Sequence, residues 1–275
     1  VDKYVSVGLI QGYILCRQDS SERALYEESP VDWSVNVATA LCPILNAVVI
    51  EEQIENKAQQ HGLRKLLDVR GRDEAWLWQE YKGSFFRGLL GRQDPKNPVM
   101  RYEIVAFCAP LASEVNPLYE EVLKHTFPGS PVLGWGIGLE DRQTMPSSRQ
   151  GLFQTATNWC INLPILSSGS TGLKYPFEPF QNQSDIPALK NDEKLISFVL
   201  SDGDNVQWLM LNFCQGDEGK FYWGDPYRGK LPFGWTIPAV DLLQLCPYTL
   251  DFLRDSQIAA DDFILYGGGD FYPDL

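Results

Sequence analysis

The chain has 275 residues, a net charge of −13, and is 44% hydrophobic, 12% aromatic and 21% charged. Such a chain can bury a sizeable core, which excludes a disordered protein, and it lacks the clustered Lys and Arg that polyanion binding needs, which argues against a nucleic-acid partner. No apolar run approaches the ~20 residues of a membrane-spanning helix, so membrane insertion is not expected.

In chain order, the apolar opening from Tyr4 to Cys16 reads as helix and gives way to a charged turn reaching Pro30. Asp32-Trp33-Ser34 is positioned to cap a short helix running toward Leu41. Leu45 to Ile50 reads as a buried strand, Glu51 to His61 as a helix stopped by Gly62, and Lys65 to Val69 as a strand. Asp73 opens a helix carrying Trp76, Trp78 and Tyr81, and Gly88 to Pro98 is expected to be loop. A strand from Tyr102 to Cys108 precedes a helix from Ser113 to His125, and Val132 to Gly136 is again strand. Gly134-Trp135-Gly136-Ile137-Gly138 then leads into Glu140 and Asp141 at the start of a helix directed toward Gln150, and Phe153 to Thr157 reads as strand. This alternation argues for an α/β protein built on parallel sheet.

The segment from Ser167 to Asp192 is rich in Ser, Gly, Pro, Asn and Gln without periodicity. It separates an N-terminal α/β region, 1–185, from a second domain, 190–275. That domain is expected to begin with strand Leu195 to Leu200 and helix Val206 to Phe213. Strand Phe233 to Ile237, two short helices broken near Pro247, and strand Phe263 to Tyr266 follow. The last strand enters Gly267-Gly268-Gly269-Asp270-Phe271-Tyr272-Pro273. A β/α unit closing on a glycine loop reads as unfinished, and an opening at Val1 without a basic-then-apolar leader reads as a processed or excised segment.

The chemistry concentrates after strand Leu195 to Leu200, where Ser201-Asp202-Gly203-Asp204-Asn205 separates it from the next helix. The carboxyl end of a parallel strand is where α/β proteins bind ligands. Asp202 and Asp204, two apart across a glycine, could both face one pocket as acid and base, or base and nucleophile. An acidic chain with many Trp and Tyr leans toward neutral carbohydrate, and cleaving a glycosidic bond would need two carboxyl groups about 5–5.5 Å apart for retention or about 6.5–9.5 Å apart for inversion. Neighbours in one turn rarely reach the longer spacing, so one of them is expected to pair with a carboxylate from elsewhere: Glu140, Asp270 or a residue beyond Leu275. Two other readings stay open: Asp204 or Asn205 as a helix N-cap, or Asp202, Asp204 and Asn205 as hard oxygen ligands for Ca²⁺ or Mg²⁺. No other cofactor is expected. Glu140 also has a plain reading, as an acidic residue at a helix start.

Trp135, Trp159, Trp208, Trp223 and Trp235 are candidate platforms for the apolar face of a sugar, although core packing is the commoner role for each. Trp223, on a polar loop, has the best prospect of exposure. The six cysteines, Cys16, Cys42, Cys108, Cys160, Cys214 and Cys246, include no CxxC and mostly sit in apolar runs. Buried thiols are the expectation, and disulfides the alternative. With only His61 and His125, a His-based metal site or a Ser-His-Asp triad has little material.

Ser201 to Trp208, Gly234-Trp235-Thr236-Ile237-Pro238 and Gly267 to Pro273 resemble the GxGYxYP glycoside hydrolase family. Leu133 to Gly136 with Glu140, and Thr157 to Leu163, resemble its N-terminal region. The family signature is Gly-x-Gly-Tyr-x-Tyr-Pro. Here Asp270 stands at its first tyrosine, while Tyr272 and Pro273 match. The resemblance implies a carbohydrate substrate, an extracellular or secreted setting, and a C-terminal domain that starts a TIM-like (β/α) barrel. It suits Asp202 or Asp204 as base or nucleophile, with Asn205, Trp208, Trp223, Asp270 and Tyr272 contacting the sugar. The rival readings are a non-catalytic carbohydrate-binding or assembly module with a degenerate site, and a metal-dependent esterase or deacetylase acting on sugars.

Overall fold

The computed structural model describes residues 2–17, 32–96, 109–112, 114–157, 160, 163–168, 190–201, 206–214 and 222–265. The chain divides into two compact units, Val1–Asn162 with Phe271–Leu275, and Leu163–Asp270.

The first unit begins with a short helix, α1 (Asp2–Ser6), and then the buried strand β1 (Gly12–Cys16). Helix was expected across this whole stretch. The Gly-Tyr-Ile-Leu-Cys run instead lies at the centre of a parallel sheet, buried along its length, where β-branched and aromatic residues favour strand over helix. Gly12 is tightly packed: a Cβ there would collide with the Arg64 carbonyl oxygen and lie 2.8 Å from Leu66 Cγ. Helix α2 (Ser34–Leu45) follows, with the Asp32 carboxylate accepting from the Ser34 amide at 2.9 Å. It ends at Asn46, whose φ of 49° is the left-handed conformation that Asn tolerates at a helix end. Strand β2 (Ala47–Glu51), a 3₁₀ turn, helix α3 (Glu55–Gln60) and strand β3 (Lys65–Asp68) complete the motif, with Gly62 at φ 72° closing the helix.

All pairings are parallel and the strand order is β2-β1-β3. The chain therefore leaves β1 toward one side and returns to the other. β1 and β3 are parallel neighbours, so their carboxyl ends lie side by side.

Helix α4 (Glu74–Tyr81) follows β3, capped by Asp73, whose carboxylate accepts from the Trp76 amide at 2.8 Å. A second parallel sheet comprises β4 (Leu90–Gln93), β5 (Pro131–Trp135) and β6 (Phe153–Thr155), in that order. Helix α5 (Pro117–His125) precedes β5, and α6 (Glu140–Arg149) joins β5 to β6. Strand β4 stands where loop was expected. Leu-Gly-Arg-Gln carries little apolar signal, yet all four residues are buried, with the Arg and Gln side chains packed against tertiary partners. The Arg92 guanidinium lies 4.3 Å from the centre of the Tyr119 ring. Gln93 is held by Asn36 of α2: the Asn36 amide donates to the Gln93 carbonyl at 3.0 Å and to Glu74 at 2.9 Å, and accepts from the Gln93 side chain at 2.6 Å.

This buried amide–carboxylate junction ties α2, α4 and β4 together. Asn36→Ala should cost about 2–3 kcal/mol, because it strips partners from two buried polar side chains. Urea unfolding measures this, and a loss below about 0.5 kcal/mol would show that the junction is dispensable.

The second unit holds α7 (Leu163–Ser168), β7 (Val199–Leu200) and α8 (Val206–Trp208), which continues as a π-helical turn, Leu209–Phe213. Strand β8 (Phe233–Ile237), helices α9 (Ala239–Leu245) and α10 (Pro247–Asp255), and strand β9 (Asp261–Leu265) follow. These strands form an open parallel sheet in the order β7-β8-β9. The expected start of a TIM-like barrel is thereby corrected. Closing a barrel takes about eight tilted strands. The described residues instead form three separate three-stranded sheets, none of them closed. The expected strand from Leu195 also shortens to two residues, leaving Leu195 and Ile196 about three-quarters exposed, at 76% and 75%.

Tyr102 to Cys108, expected as strand, and Ser167 to Asp192 apart from 167–168 and 190–192, expected as boundary, lie outside the described residues. No helix among the described residues is long and apolar enough to cross a membrane.

Candidate functional site

Asp202, Asp204 and Asn205, with Asp270 and Tyr272, lie outside the described residues, as does Trp159. Their immediate supports are described. Strand β7 ends at Leu200, and Val206, fully buried, opens α8 directly after the turn. β7 and β9 flank β8, and all three run parallel. The loops after β7 and β9 therefore leave one edge of the same sheet. Within it, the Thr236 hydroxyl of β8 donates to the Leu200 carbonyl at 2.7 Å, fixing the last residue of β7 before the acidic turn. The π-helical turn at Leu209–Phe213 comes one short helix later. Such turns are rare and concentrate at functional sites.

The aromatic residues of this unit pack on one another. Trp208 is half-buried, with its ring 5.0 Å from Tyr222 edge-on and 5.2 Å from Phe213. Trp223 stacks on Phe263 at 5.5 Å and meets Trp235 edge-on at 5.4 Å. The expectation that Trp223 is exposed is corrected: it is 2% exposed, and its indole N–H donates to Ser256 Oγ at 2.8 Å. The polar loop turns inward because Arg228 lies over the Trp223 ring at 3.7 Å.

That guanidinium also holds Asp261, with Nη2 to Oδ2 at 2.6 Å and Nε to both carboxylate oxygens at 3.1 Å. Asp261 further accepts from the Trp235 indole at 2.9 Å and from the Ile258 amide at 2.9 Å. Burial opposes its ionisation, but these donors, Arg228 foremost, outweigh burial and keep the carboxyl below its ordinary range. Trp235, 6% exposed, is thereby locked beside β9.

Glu140 belongs to the first unit and is the exposed first residue of α6, where a carboxylate favours the helix dipole. The glycine turn before it is closed by Gln143, which accepts from the Gly136 amide at 3.2 Å and donates to the Gly138 carbonyl at 2.7 Å. Trp135, at the end of β5, is half-buried. His125 lies edge-on to Trp78 at 5.1 Å, and burial, then Arg87 and Lys82, lower its pKa and favour the neutral form.

The described cysteines stand as thiols, with Cys16, Cys42, Cys160 and Cys246 buried and Cys214 half-buried. Burial, reinforced by the neighbouring Cys16, pushes the Cys42 thiol up to about 12. Burial and Cys246 do the same for Cys214, also to about 12. Thiolate is the reactive form, so native protein at about pH 8 should leave both residues unmodified by iodoacetamide while urea exposes them to full alkylation. Peptide mass mapping reads this out, and rapid native alkylation of Cys42 would contradict the packing of β1 against α2.

Sequence reasoning missed a crevice in the first unit, of volume about 340 Å³ and lined by Trp33, Asp73, Glu74, Ala75, Glu114, Asn116, Pro117 and Leu118. It gathers the amino ends of α2, α4 and α5, and its floor adjoins the Asn36 junction. Trp33 and Glu114 are 81 positions apart, and each of these residues alone is ordinary at a helix start.

A family model described as "GxGYxYP_N second domain" matches residues 10–85, and one described as "GxGYxYP putative glycoside hydrolase C-terminal domain" matches residues 192–274. The chain belongs to the GxGYxYP family. The first match covers the β2-β1-β3 sheet with α4, and the second covers the β7-β8-β9 sheet with its acidic turn. Among solved structures, the chain is similar to "a putative hydrolase from Bacteroides thetaiotaomicron VPI-5482", with 25% identity and a TM-score of 0.72. The match covers 98% of this chain and 50% of that one, so the chain spans half the length of this relative. No curated protein matches the chain.

Proposed function

We propose that the chain carries the carboxylates of a carbohydrate-active hydrolase that cleaves glycosidic bonds. Asp202 or Asp204 is the base or nucleophile. The observation that carries this reading is the C-terminal family match, whose residues 192–274 include the sequence Asp-Gly-Asp-Asn just after a parallel strand's carboxyl end. The partner carboxylate is Asp270, after β9. Strands β7 and β9 are separated by one intervening strand, so their loops start about 9–10 Å apart.

In this reading Asn205 and Tyr272 hydrogen-bond the sugar, and half-buried Trp208 gives it an aromatic face. Trp223 acts from the core, holding Trp235 and Phe263 in place. The test is release of reducing ends from a panel of neutral oligosaccharides, with and without EDTA. Glycosidic cleavage by carboxylates alone predicts turnover that survives chelation. Turnover lost with EDTA and restored by Ca²⁺ or Mg²⁺ would assign Asp202, Asp204 and Asn205 to an ion instead.

A further inference from the structure

Strands β1 and β3 are parallel neighbours, and the helices that follow them open at the crevice of the first unit. Trp33 immediately precedes α2, and Asp73 and Glu74 open α4, so these two walls come from the helices that follow β1 and β3. Glu114, Asn116 and Pro117, leading into α5, supply a third wall. A volume of about 340 Å³ falls at the lower end of the range for small-molecule clefts.

The lining selects the chemical class. Helix amino ends at such a crevice commonly serve phosphate, but here three carboxylates stand among them, and an anion would be repelled. A divalent cation is not favoured either, since the described residues contain no group of three acidic, His or Cys side chains able to hold a metal ion. Three carboxylate acceptors from two helix starts, an amide at Asn116 and a half-buried indole at Trp33 suit a neutral ligand with many hydroxyl groups and an apolar face. The floor is rigid, because Glu74 is 6% exposed and is held by Asn36 at 2.9 Å. A preformed floor lowers the ordering cost of binding.

We infer that this crevice binds a saccharide unit, with the Trp33 indole against the sugar face and Asp73, Glu74 and Glu114 accepting its hydroxyl protons. The inference rests on the carbohydrate reading for its ligand class, but not on catalysis at the β7 turn.

The experiment uses an array of neutral glycans to find the tightest binder, then titrates that glycan into ¹⁵N-labelled wild-type protein and into Trp33→Phe, Trp33→Ala, Glu114→Gln and Asp202→Asn. The Trp33 indole N–H signal, identified by its absence from Trp33→Phe, should shift on titration. Trp33→Ala and exposed Glu114→Gln should each bind at least about fivefold more weakly, and Asp202→Asn should still shift the Trp33 signal as wild type does. Glu114→Gln keeps the test informative if Trp33→Ala fails to fold. Binding that leaves the Trp33 signal unmoved and is unaffected by Glu114→Gln overturns the crevice while leaving the carbohydrate reading intact. Absence of binding to any neutral glycan overturns the inference, and turnover in the reducing-end assay then shows whether the hydrolase reading fails with it. Binding confined to amine-bearing glycans also overturns it, because the carboxylates would then be serving a cation.

Discussion

Asp202→Asn and Asp204→Asn, made separately, should divide the two aspartates by role. The one acting as base or nucleophile should lose about 10²–10⁴-fold in kcat, the scale of a positioned proton-transfer group, while its KM changes little. The other should lose less, because a carboxylate that tunes its neighbour's charge or caps α8 contributes to the site without touching the reacting bond. Asn keeps the shape and much of the hydrogen bonding of Asp, so a pure helix cap would survive the change with small effect. Steady-state kinetics on the glycan found by the reducing-end assay measures both. Equal and slight effects, within about threefold for each variant, would return the turn to a capping role. They would leave the chain as a binding module.

The second large effect is on stability. Arg228 and Asp261 have side chains only 13% and 1% exposed, and they are joined by bidentate hydrogen bonds. Arg228→Met removes one ion and strands the other in the core, which should cost about 3–5 kcal/mol. For a chain of this size that corresponds to a fall in Tm of about 10 °C. Asp261→Asn should cost less, because its one carbonyl oxygen still accepts from the Trp235 indole or the Ile258 amide, though not from both.

The pH dependence has a definite sign. Asp261 is held below its unfolded value of about 3.9, so its contribution is full above that value. It is lost as pH falls through the lower folded value. Wild type should therefore lose stability in acid below about pH 4 more steeply than Asp261→Asn does. Thermal melts from pH 7 to pH 2 test this, and parallel curves for the two proteins would show that the pair contributes nothing to acid sensitivity.

What the sequence disclosed follows the strength of its local signals. Ala47–Glu51, Lys65–Asp68 and Phe233–Ile237 were legible because each is a β-prone run bounded by turn or helix signals. The caps at Asp73 and Gly62 were legible because the chemistry of a helix end is local. Gly12–Cys16 was misread because five residues hold too little periodicity to separate strand from helix, and the central position that decides it is a property of the sheet. Leu90–Gln93 was hidden for the opposite reason: its Arg and Gln are buried against Tyr119 and Asn36, partners 27 and 57 positions distant.

At the candidate site, the acidic turn was visible as a motif, and the family match now covers it. The burial of Trp223 was not visible, since it depends on Arg228 folding over the ring. Nor was the crevice at Trp33, whose walls meet only because β1 and β3 are neighbours.

The central claim is that the turn after β7 cleaves glycosidic bonds. Its most direct test is ¹H NMR of the glycan panel incubated in parallel with wild type and with the Asp202→Asn, Asp204→Asn double variant. Wild type should generate free-anomer signals from the first minutes, and the double variant should generate none. Equal free-anomer signals from both proteins, or release of acetate without any new anomeric signal, would contradict it.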